Sequence, residues 1–446
     1  MFKNILLFVE MLFFIIKKTF NRESPPLLRE RGLGGEVMRG TCFVILIALS
    51  SCASTTEITK TPKVIFFIVD GIPGDVIEKL NPPTLQEIAG ENGFTRAYVG
   101  GERDGYSESP TISAVGYNSL ITGTWANKHN VWDNDIAEPN YNYWGIFRLA
   151  KMANPALKTA VFSSWLDNRT KLVGDSLPAT GNIAVDFKFD GLENDTIQYP
   201  HDNGKKYMQR IDSAVTEEAA RVVLNNAPDL SWVYMEFTDD MGHRHGDSKI
   251  FYDAIMEADK QINKVWQSVK TRSEKFNEDW LVVITTDHGR DAKTGKDHGG
   301  QSERERSTWI VTNAKNLNER FKQTPTVVDI YPTMAQHLNL SIPESVANEL
   351  DGISFTGPID ISNLNATSSG NAFTLTWKAH TTGSAQVLIS TSNKFKNGGA
   401  DKYEKVADIS LADESYSFEP KSKSDFYKIV LVTKNQRINR WIQQTK

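Results

Sequence analysis

Three apolar runs of strand length, each ending at an acidic residue, constrain the fold of this chain most strongly. Helical patterns lie between them, and this alternation is typical of a buried parallel sheet covered by helices. Ligands of such sheets bind beyond the carboxyl ends of the strands, so we expect the acidic residues to meet in one crevice. The runs and their acidic residues are 64–69 with Asp70, 231–237 with Asp239, and 280–286 with Asp287.

Composition agrees with a large folded protein rather than a disordered or fibrous chain. The chain has 446 residues, of which 39% are apolar and 24% charged, enough for a large core and a smaller second module. Its net charge of −5 gives no general attraction for nucleic acid, so we expect no nucleic-acid binding. Periodicity predicts helices at about 208–226, 249–270 and 327–338.

The N-terminal region has the pattern of an export signal. After Met38 and Arg39 an apolar run, 42–49, leads to Ser-Ser-Cys52, and this ending resembles a bacterial lipobox whose cysteine is lipidated. We therefore expect removal of 1–51, a tether at 52–62, and a lipid anchor at Cys52 that holds an exported protein on a bacterial membrane, in the periplasm or at the cell surface. An uncleaved signal anchor or a secreted form is the alternative. The true start, Met1 or Met38, stays open, as does the oligomeric state.

The two ends of the folded part differ in pattern. Segment 125–203 is rich in Asn, Asp, Gly and aromatic residues and is predicted to be a cap of loops and short elements over the crevice. Residues 356–446 contain short alternating strands, at 373–377, 385–390, 416–418 and 426–432. They predict a small β-sandwich that resembles a fibronectin type III module and serves in spacing, docking or stabilisation.

Histidines cluster beside the same strand ends. Asp239 and His243 lie four residues apart, Asp287 and His288 are adjacent, and His298 follows in a Gly-flanked loop. Each residue alone could cap a helix, form a turn or lie on the surface. Together with Asp70 they give three carboxylates and three imidazoles, which suits two divalent metal ions.

These motifs resemble the alkaline phosphatase superfamily, and within it the type I phosphodiesterase and nucleotide pyrophosphatase branch. The resemblance covers about 63–355, with VDG, a nucleophile segment, DxxGH, TDHG and HGG in the family's order. It implies an α/β fold with a mostly parallel sheet, helices on both faces, and two zinc ions. One ion would be held by Asp239, His243 and His298. The other would be held by Asp70, Asp287, His288 and the nucleophile.

The resemblance also implies a nucleophile and an oxyanion donor. The family's Ser or Thr opens a helix ten residues before the Gly of a Leu-x-Thr-Gly signature, which selects Ser113 over Thr111. Zinc coordination would activate its hydroxyl for a two-step displacement through a phosphoseryl intermediate, and the helix N-terminus would favour the phosphate. A plain N-cap role for Ser113 is the alternative. Asn134 matches the family's Asn that hydrogen-bonds a phosphoryl oxygen.

From this resemblance we expect the substrate to be a small-molecule phosphoester, with diesters favoured over monoesters. Nucleotide-cleaving members carry an aromatic residue directly after the nucleophile, where this chain has Ala114; Tyr117, Trp125 or cap aromatics would have to replace it. Arg103, Lys128 and Arg290 keep a phosphomonoesterase open, and Arg290 could orient substrate or fix its loop. No Cys/Ser-x-Pro-x-Arg motif of sulfatases follows Asp70.

Two other classes of protein remain as alternatives. In one, the catalytic domain has decayed and the β-sandwich makes this a surface binding protein. The other is a metal-dependent phosphosugar mutase, which normally needs a large inserted domain between the nucleophile and the later ligands. Segment 125–203 is too rich in loops to be such a domain.

Overall fold

The three apolar runs lie side by side in the middle of a seven-stranded sheet. The computed structural model describes residues 60–443, and the order of strands in this sheet is β2-β7-β6-β1-β5-β3-β4. Strand β7 pairs antiparallel with both neighbours, while the other pairings are parallel. The bounds are β1 Thr61–Val69, β2 Phe94–Tyr98, β3 Thr159–Ser163, β4 Phe187–Phe189, β5 Leu230–Met235, β6 Glu278–Thr285 and β7 Ser307–Thr312.

Helices cover both faces of this sheet, which confirms the predicted fold class. Alternate residues of β1 face opposite sides, because side chains of a strand alternate. Phe66 packs in one buried cluster with residues of the helices Ser113–Thr122 and Ile330–His337, and Phe67 packs in the other with residues of the helices Lys206–Asn226 and Lys249–Lys275. The α-helices are α1 Gly74–Leu80, α2 Pro83–Ala89, α3 Ser113–Thr122, α4 Ala126–His129, α5 Ile146–Ala153, α6 Lys206–Asn226, α7 Phe237–His245, α8 Lys249–Lys275, α9 Glu303–Arg306, α10 Glu319–Lys322, α11 Ile330–His337 and α12 Glu344–Ala347.

The remaining helical elements are short. A π-helix spans Asn168–Val173, and single 3-10 turns lie at Pro178–Thr180, Leu192–Asn194, Val327–Asp329, Phe395–Asn397 and Leu411–Asp413. The predicted helices at 208–226 and 249–270 correspond to α6 and α8. The helix expected at 327–338 is a 3-10 turn followed by α11.

One expectation about element boundaries changes. The run predicted as a strand to residue 237 ends at Met235, and α7 begins at Phe237, so Asp239 lies in the first turn of a helix. Segment 125–203, predicted to contain loops and short elements, contributes the short strands β3 and β4 to the sheet. Strand β3 is buried throughout and pairs with β5, so it is part of the core. The limits of a cap, like the other domain limits, stay predictions.

The C-terminal region forms two antiparallel sheets around a separate buried cluster. One sheet has the order β11-β10-β13-β14 and the other β12-β9-β8. The four predicted strands are present with three more, while kinship with fibronectin type III stays a prediction. The bounds are β8 Ile361–Ser369, β9 Ala372–Ala379, β10 Ser384–Ser390, β11 Glu404–Ser410, β12 Ser415–Phe418, β13 Phe426–Val432 and β14 Arg437–Gln443.

Two buried lysines join this C-terminal module to the rest of the molecule. Lys128 Nζ lies 2.6 Å from Asp351 Oδ1 and 3.0 Å from Asn439 Oδ1 of β14. Lys428 Nζ of β13 lies 2.5 Å from Glu349 Oε1. Both lysine side chains are completely buried, so one buried ion pair, Lys428 with Glu349, and one buried hydrogen bond, Lys128 to Asn439, fix the module to residues 60–355.

The predicted leader, the lipidation site Cys52 and most of the tether lie outside residues 60–443. The structure therefore does not bear on them. Within 60–443, none of the helices combines the length and the apolar character that crossing a bilayer requires.

Candidate active site

The six candidate metal ligands converge at the carboxyl edge of the sheet. Asp70 follows β1, and Asp287 and His288 follow β6. Asp239 and His243 lie on α7, directly after β5. Ligand atoms lie within 4.8 Å of one another in two groups, Asp70 with Asp287 and His288, and Asp239 with His288 and His298.

The first group surrounds Nε2 of His288. This nitrogen is 3.4 Å from Asp70 Oδ1, 3.2 Å from Asp287 Oδ2 and 3.3 Å from Ser113 Oγ. The other ring nitrogen, Nδ1, lies 2.9 Å from the Gly289 carbonyl oxygen, which can only accept. The proton therefore belongs on Nδ1, and the Nε2 lone pair is directed at the three oxygens.

Two carboxylate oxygens of this group are buried without a hydrogen bond. Among the described residues no donor reaches Asp70 Oδ1 or Asp287 Oδ2. An unpaired buried carboxylate oxygen is costly unless a cation binds it. The donor set of carboxylate and imidazole is one that borderline divalent ions prefer, so these residues fit a metal.

The second group is built around two imidazoles. His243 Nε2 lies 3.2 Å from Asp239 Oδ2 and 3.1 Å from His298 Nε2. His298 Nδ1 donates to the Thr111 carbonyl oxygen at 2.8 Å, which leaves its Nε2 free as a ligand. The His288 and His298 rings stack with centroids 3.6 Å apart, so the two groups adjoin.

Burial and mutual repulsion perturb these groups strongly. Burial, with the charge of Asp287, raises the pKa of Asp70 well above its usual range, and burial likewise raises the pKa of Asp287. Burial lowers the pKa of both His288 and His298. Burial is the largest cause of each shift, and bound cations would offset it for the two carboxylates.

Asp239 differs from the other two carboxylates because cations surround it. Burial alone would raise its pKa, but the hydrogen bond from His243 and the charge of Arg290 outweigh burial and lower it. Arg290 is completely buried, donating from Nη2 to the Asp239 carboxylate and from Nε to the Gly71 carbonyl oxygen at 2.9 Å. Arg290 therefore fixes its loop and Asp239 rather than orienting substrate.

Two glycines of the motifs leave the space that Arg290 fills. A Cβ on Gly242, the glycine of DxxGH, would lie 2.2 Å from the guanidinium. A Cβ on Gly71, the glycine of VDG, would lie 2.5 Å from it, and the φ of +69° favours glycine in any case. The structure thus explains why glycine stands beside a ligand in both motifs.

Ser113 is the first residue of α3 and its hydroxyl faces the first group. The hydroxyl of Thr111, the other candidate, is engaged in holding the His298 loop. Its Oγ1 donates to the Gly300 carbonyl oxygen at 2.8 Å and accepts from Gly299 N at 2.9 Å. This arrangement favours Ser113 over Thr111 on geometry alone.

Asn134 lies at the N-terminus of the same helix. Its Oδ1 accepts a hydrogen bond of 3.0 Å from Ala114 N, the amide next to Ser113. No described residue takes a hydrogen bond from its Nδ2, and the residue is exposed. The amide is therefore held with its donor group available beside the serine.

The comparisons with known proteins settle the family. The family model for type I phosphodiesterase / nucleotide pyrophosphatase matches residues 64–361, well over half of the chain. The chain belongs to this family. The protein is accordingly a metal-dependent hydrolase of the phosphodiesterase and pyrophosphatase type.

More remote similarities link this hydrolase to solved structures. Murine ectonucleotide pyrophosphatase / phosphodiesterase 5 is 14% identical, with a TM-score of 0.42 over 63% of this chain and 96% of that one. An alkaline phosphatase superfamily protein from Vibrio parahaemolyticus is 13% identical, with a TM-score of 0.44 over 72% and 77%. A protein described as a sulfatase from Bacteroides thetaiotaomicron is 10% identical, with a TM-score of 0.47 over 85% of both chains. No curated protein matches the chain.

The sequence motifs did not reveal the residues that support Asp70. Tyr117 and Tyr234 both donate to Asp70 Oδ2, the latter at 2.7 Å, and Thr238 Oγ1 donates to the Asp70 carbonyl oxygen at 2.6 Å. Tyr117 was a candidate for stacking on a substrate ring, but it is completely buried, and Trp125 is buried against Tyr98. In the sequence, the position of Tyr117 one helical turn after Ser113 is the feature that could have indicated its role beside Asp70.

Proposed function

We propose that this hydrolase cleaves phosphodiesters with Ser113 as nucleophile and two zinc ions as cofactors. The observation that carries the proposal is the position of Ser113 Oγ, 3.3 Å from the His288 Nε2 lone pair at the head of α3. Asp70, Asp287 and His288 would hold one ion with Ser113. Asp239, His243 and His298 would hold the other.

The ions, when bound, would lower the pKa of the serine hydroxyl and of water and neutralise charge on the phosphoryl group. Ser113 Oγ then forms a bond to phosphorus as the bond from phosphorus to the leaving alcohol breaks, and the departing oxygen takes up a proton. The product is a phosphoserine that still carries the second ester group. Water next forms a bond to phosphorus, the bond to Ser113 Oγ breaks, and the serine recovers its proton.

Two features of the chain would bind the non-bridging oxygens during both steps. The first turn of α3 has N–H groups without partners within the helix, and its dipole favours an anion. Asn134 Nδ2 is the second donor, and its position is fixed by the bond from Ala114 N to Oδ1. Loss of one such donor costs about 2.7–4 kcal/mol in other enzymes.

Zinc is favoured by the ligands themselves. Three imidazoles and three carboxylates form the candidate set, and zinc binds mixtures of nitrogen and oxygen readily, whereas magnesium and calcium favour oxygen. Manganese would accept the same ligands, so the metal content of the purified protein decides between them.

The positions of the cations support diester over monoester hydrolysis. A monoester presents a dianionic phosphoryl group that calls for an additional positive side chain. Of the three cations that the sequence offered, Lys128 is buried against Asp351 and Arg290 is buried against Asp239. Arg103 pairs with Glu303 at 2.8 Å. Lys128 and Arg290 are therefore not left to meet the second negative charge, while the Arg103 pair is exposed.

The proposed location follows from the sequence alone. The pattern from Met38 to Cys52 supports export and lipid attachment to a bacterial membrane. We expect Cys52→Ser to shift the protein from the membrane fraction to the soluble fraction. Unchanged membrane association of that variant would contradict the lipid anchor.

The deciding experiment compares kcat/KM for an aryl phosphodiester and an aryl phosphomonoester on the zinc-loaded protein. A diester preference of about tenfold or more is expected, which corresponds to about 1.4 kcal/mol of transition-state stabilisation. A monoester preference would assign a phosphomonoesterase instead. Zinc bound without activity on either substrate would favour the surface binding protein, and a preparation that binds no metal would contradict the proposal.

A further inference from the structure

A second cleft lies at the same edge of the sheet, beside the candidate active site. It has a volume of about 950 Å³ and opens between the catalytic part and the C-terminal module. Tyr98 at the end of β2 and Ser307 at the start of β7 line one side, and Asn363 of β8 lines the other. Ser113, Asn134 and the six candidate metal ligands do not line this cleft. It is therefore distinct from the active site.

Every basic residue that lines the cleft is an arginine. Four of the lining arginines have carboxylate partners: Arg96 with Glu78, Arg103 with Glu303, Arg304 with Asp75 and Asp247, and Arg320 with Asp329. Arg306 and Arg440 line the same cleft. Among residues 60–443, no carboxylate lies within ion-pair distance of either guanidinium.

These two arginines are tied only to neutral oxygens. Arg306 Nη2 donates to the Gly101 carbonyl oxygen at 2.6 Å, and Arg440 Nη1 donates to the Asn439 carbonyl oxygen at 2.7 Å. Both residues are partly buried. Glu102 and Asp351 also line the cleft, but neither forms an ion pair with these two arginines. A partly buried cation that lacks an ion-paired carboxylate can bind an oxyanion through the planar donor fork of arginine.

The rest of the lining offers apolar contact next to these charges. Tyr98, Tyr106 and Trp125 line the cleft, and Tyr98 stacks on Trp125 with ring centroids 6.5 Å apart. The Arg306 guanidinium lies 5.5 Å from the centre of the Tyr98 ring. A pocket with aromatic walls and a few fixed charges is the ordinary form of a small-molecule site.

We propose that this cleft is a second binding site, for a small molecule with a phosphate or carboxylate group next to an apolar portion. Arg306 from the catalytic part and Arg440 from the module bind the oxyanion together. The C-terminal module would thereby complete a ligand site rather than serve only as a spacer.

The test is equilibrium dialysis of the metal-loaded full chain with phenylphosphonate and, separately, benzoate, neither of which has an ester bond to cleave. Wild-type protein should bind one more equivalent of at least one probe than the Arg306→Gln/Arg440→Gln variant. Loss of charge-assisted hydrogen bonds should weaken the site about tenfold or more. The matched control, Arg210→Gln/Arg221→Gln on α6, removes the same charge elsewhere and should bind as wild type does.

Two further variants guard against a folding defect. Arg440→Gln alone removes one main-chain hydrogen bond from the module and should already weaken the site, while Arg306→Lys/Arg440→Lys keeps both charges and should retain part of the binding. Equal binding of both probes by the wild type and the Gln variants would overturn the proposal. Because the catalytic residues are intact in every variant, diester hydrolysis reports on the active site separately.

Discussion

At the scale of single residues, the candidate site is marked by two carboxylate oxygens that lack a hydrogen-bond donor within residues 60–443. Asp70 Oδ1 and Asp287 Oδ2 are buried without partners among the described residues, while the other oxygen of Asp70 accepts from two tyrosines. One side of the carboxylate is thus held by the protein and the other is left for a cation. Tyr117 and Tyr234 therefore orient a metal ligand, a role whose loss is measurable.

The Tyr117→Phe/Tyr234→Phe variant should bind metal more weakly by about 10–100-fold, because Asp70 Oδ2 loses both donors. Competition with a chelator of known affinity measures the change. The matched control is Tyr331→Phe, since Tyr331 is equally buried and its hydroxyl has no partner within 60–443. Equal metal affinity of the double variant and the wild type would contradict the role of the tyrosines.

His129 should make the protein less stable in mild acid. It is completely buried, with Nε2 at 3.0 Å from Ser119 Oγ and Nδ1 accepting from Val131 N, and burial lowers its pKa to about 3. Below the unfolded value of about 6.5 the unfolded chain gains a proton that the folded chain does not. The free energy of unfolding should therefore fall by about 1.4 kcal/mol per pH unit between about pH 6.5 and 3.

Urea unfolding of His129→Gln at pH 7 and pH 5 tests this dependence. The variant should lose less stability than the wild type over that interval. His337→Gln, at a partly exposed position, is the control and should show the wild-type pH dependence. An identical pH dependence of the wild type and His129→Gln would show that the buried imidazole contributes nothing to it.

At the scale of elements, the sequence predicts the strands that precede the candidate ligands better than it predicts the strands farther from the site. Strands β1, β5 and β6 are long apolar runs, and their ligands follow within a few residues, so pattern alone brings them together. Strand β8 has the sequence ISNLNATSS, whose polar residues hide its alternation. Strand β4 has three residues and depends on pairing with β3.

The contacts that position the ligands could not be read from the sequence. Arg290 reaches Asp239, 51 residues away, and Tyr117 reaches Asp70, 47 residues away. Such contacts depend on how α3, α7 and the loop after β6 pack, which no local pattern encodes. The ligands themselves were accessible because they lie in short motifs with fixed spacing.

Helix α7 depends on glycine at its contact with the loop after β6. Gly242→Ala should destabilise the protein by about 1–3 kcal/mol, because the added Cβ would overlap the Arg290 guanidinium. Displacement of Arg290 should also lower diester hydrolysis by disturbing Asp239. Chemical denaturation and kcat/KM measure the two effects.

Gly145→Ala is the matched control for that substitution. Its Cβ would meet its nearest neighbour at 3.7 Å, and its φ of −67° suits any residue. Wild-type stability and activity are expected for this variant. If Gly242→Ala behaved in the same way, the packing of α7 against Arg290 would not matter for the site.

At the scale of the whole molecule, buried charge joins the two parts. Lys428 of the module pairs with Glu349 and with Asp401 Oδ2 at 2.8 Å, and its side chain is completely buried. Removing one member of a buried ion pair leaves the other charge uncompensated. Contacts across this interface should therefore contribute to the free energy of unfolding of the whole protein.

Lys428→Met should lower the free energy of unfolding by about 3–5 kcal/mol, since Glu349 and Asp401 lose their buried partner. The control is Lys249→Met, whose exposed pair with Asp253 should be worth no more than about 1 kcal/mol. Chemical denaturation measures both variants. A change in Lys428→Met no larger than in Lys249→Met would contradict the stabilising role of the interface.

Ser113 is the proposed nucleophile of a two-metal phosphodiesterase, and kcat of the Ser113→Ala variant for an aryl phosphodiester tests this role most directly. Metal content is measured on the same samples. The variant should keep both metal ions and lose activity by about a thousandfold or more. Ser119→Ala, a buried serine of the same helix that bonds the Val115 carbonyl oxygen and His129, should retain activity. Ser113→Ala protein that holds two metal ions and turns over diester at the wild-type rate would contradict the account.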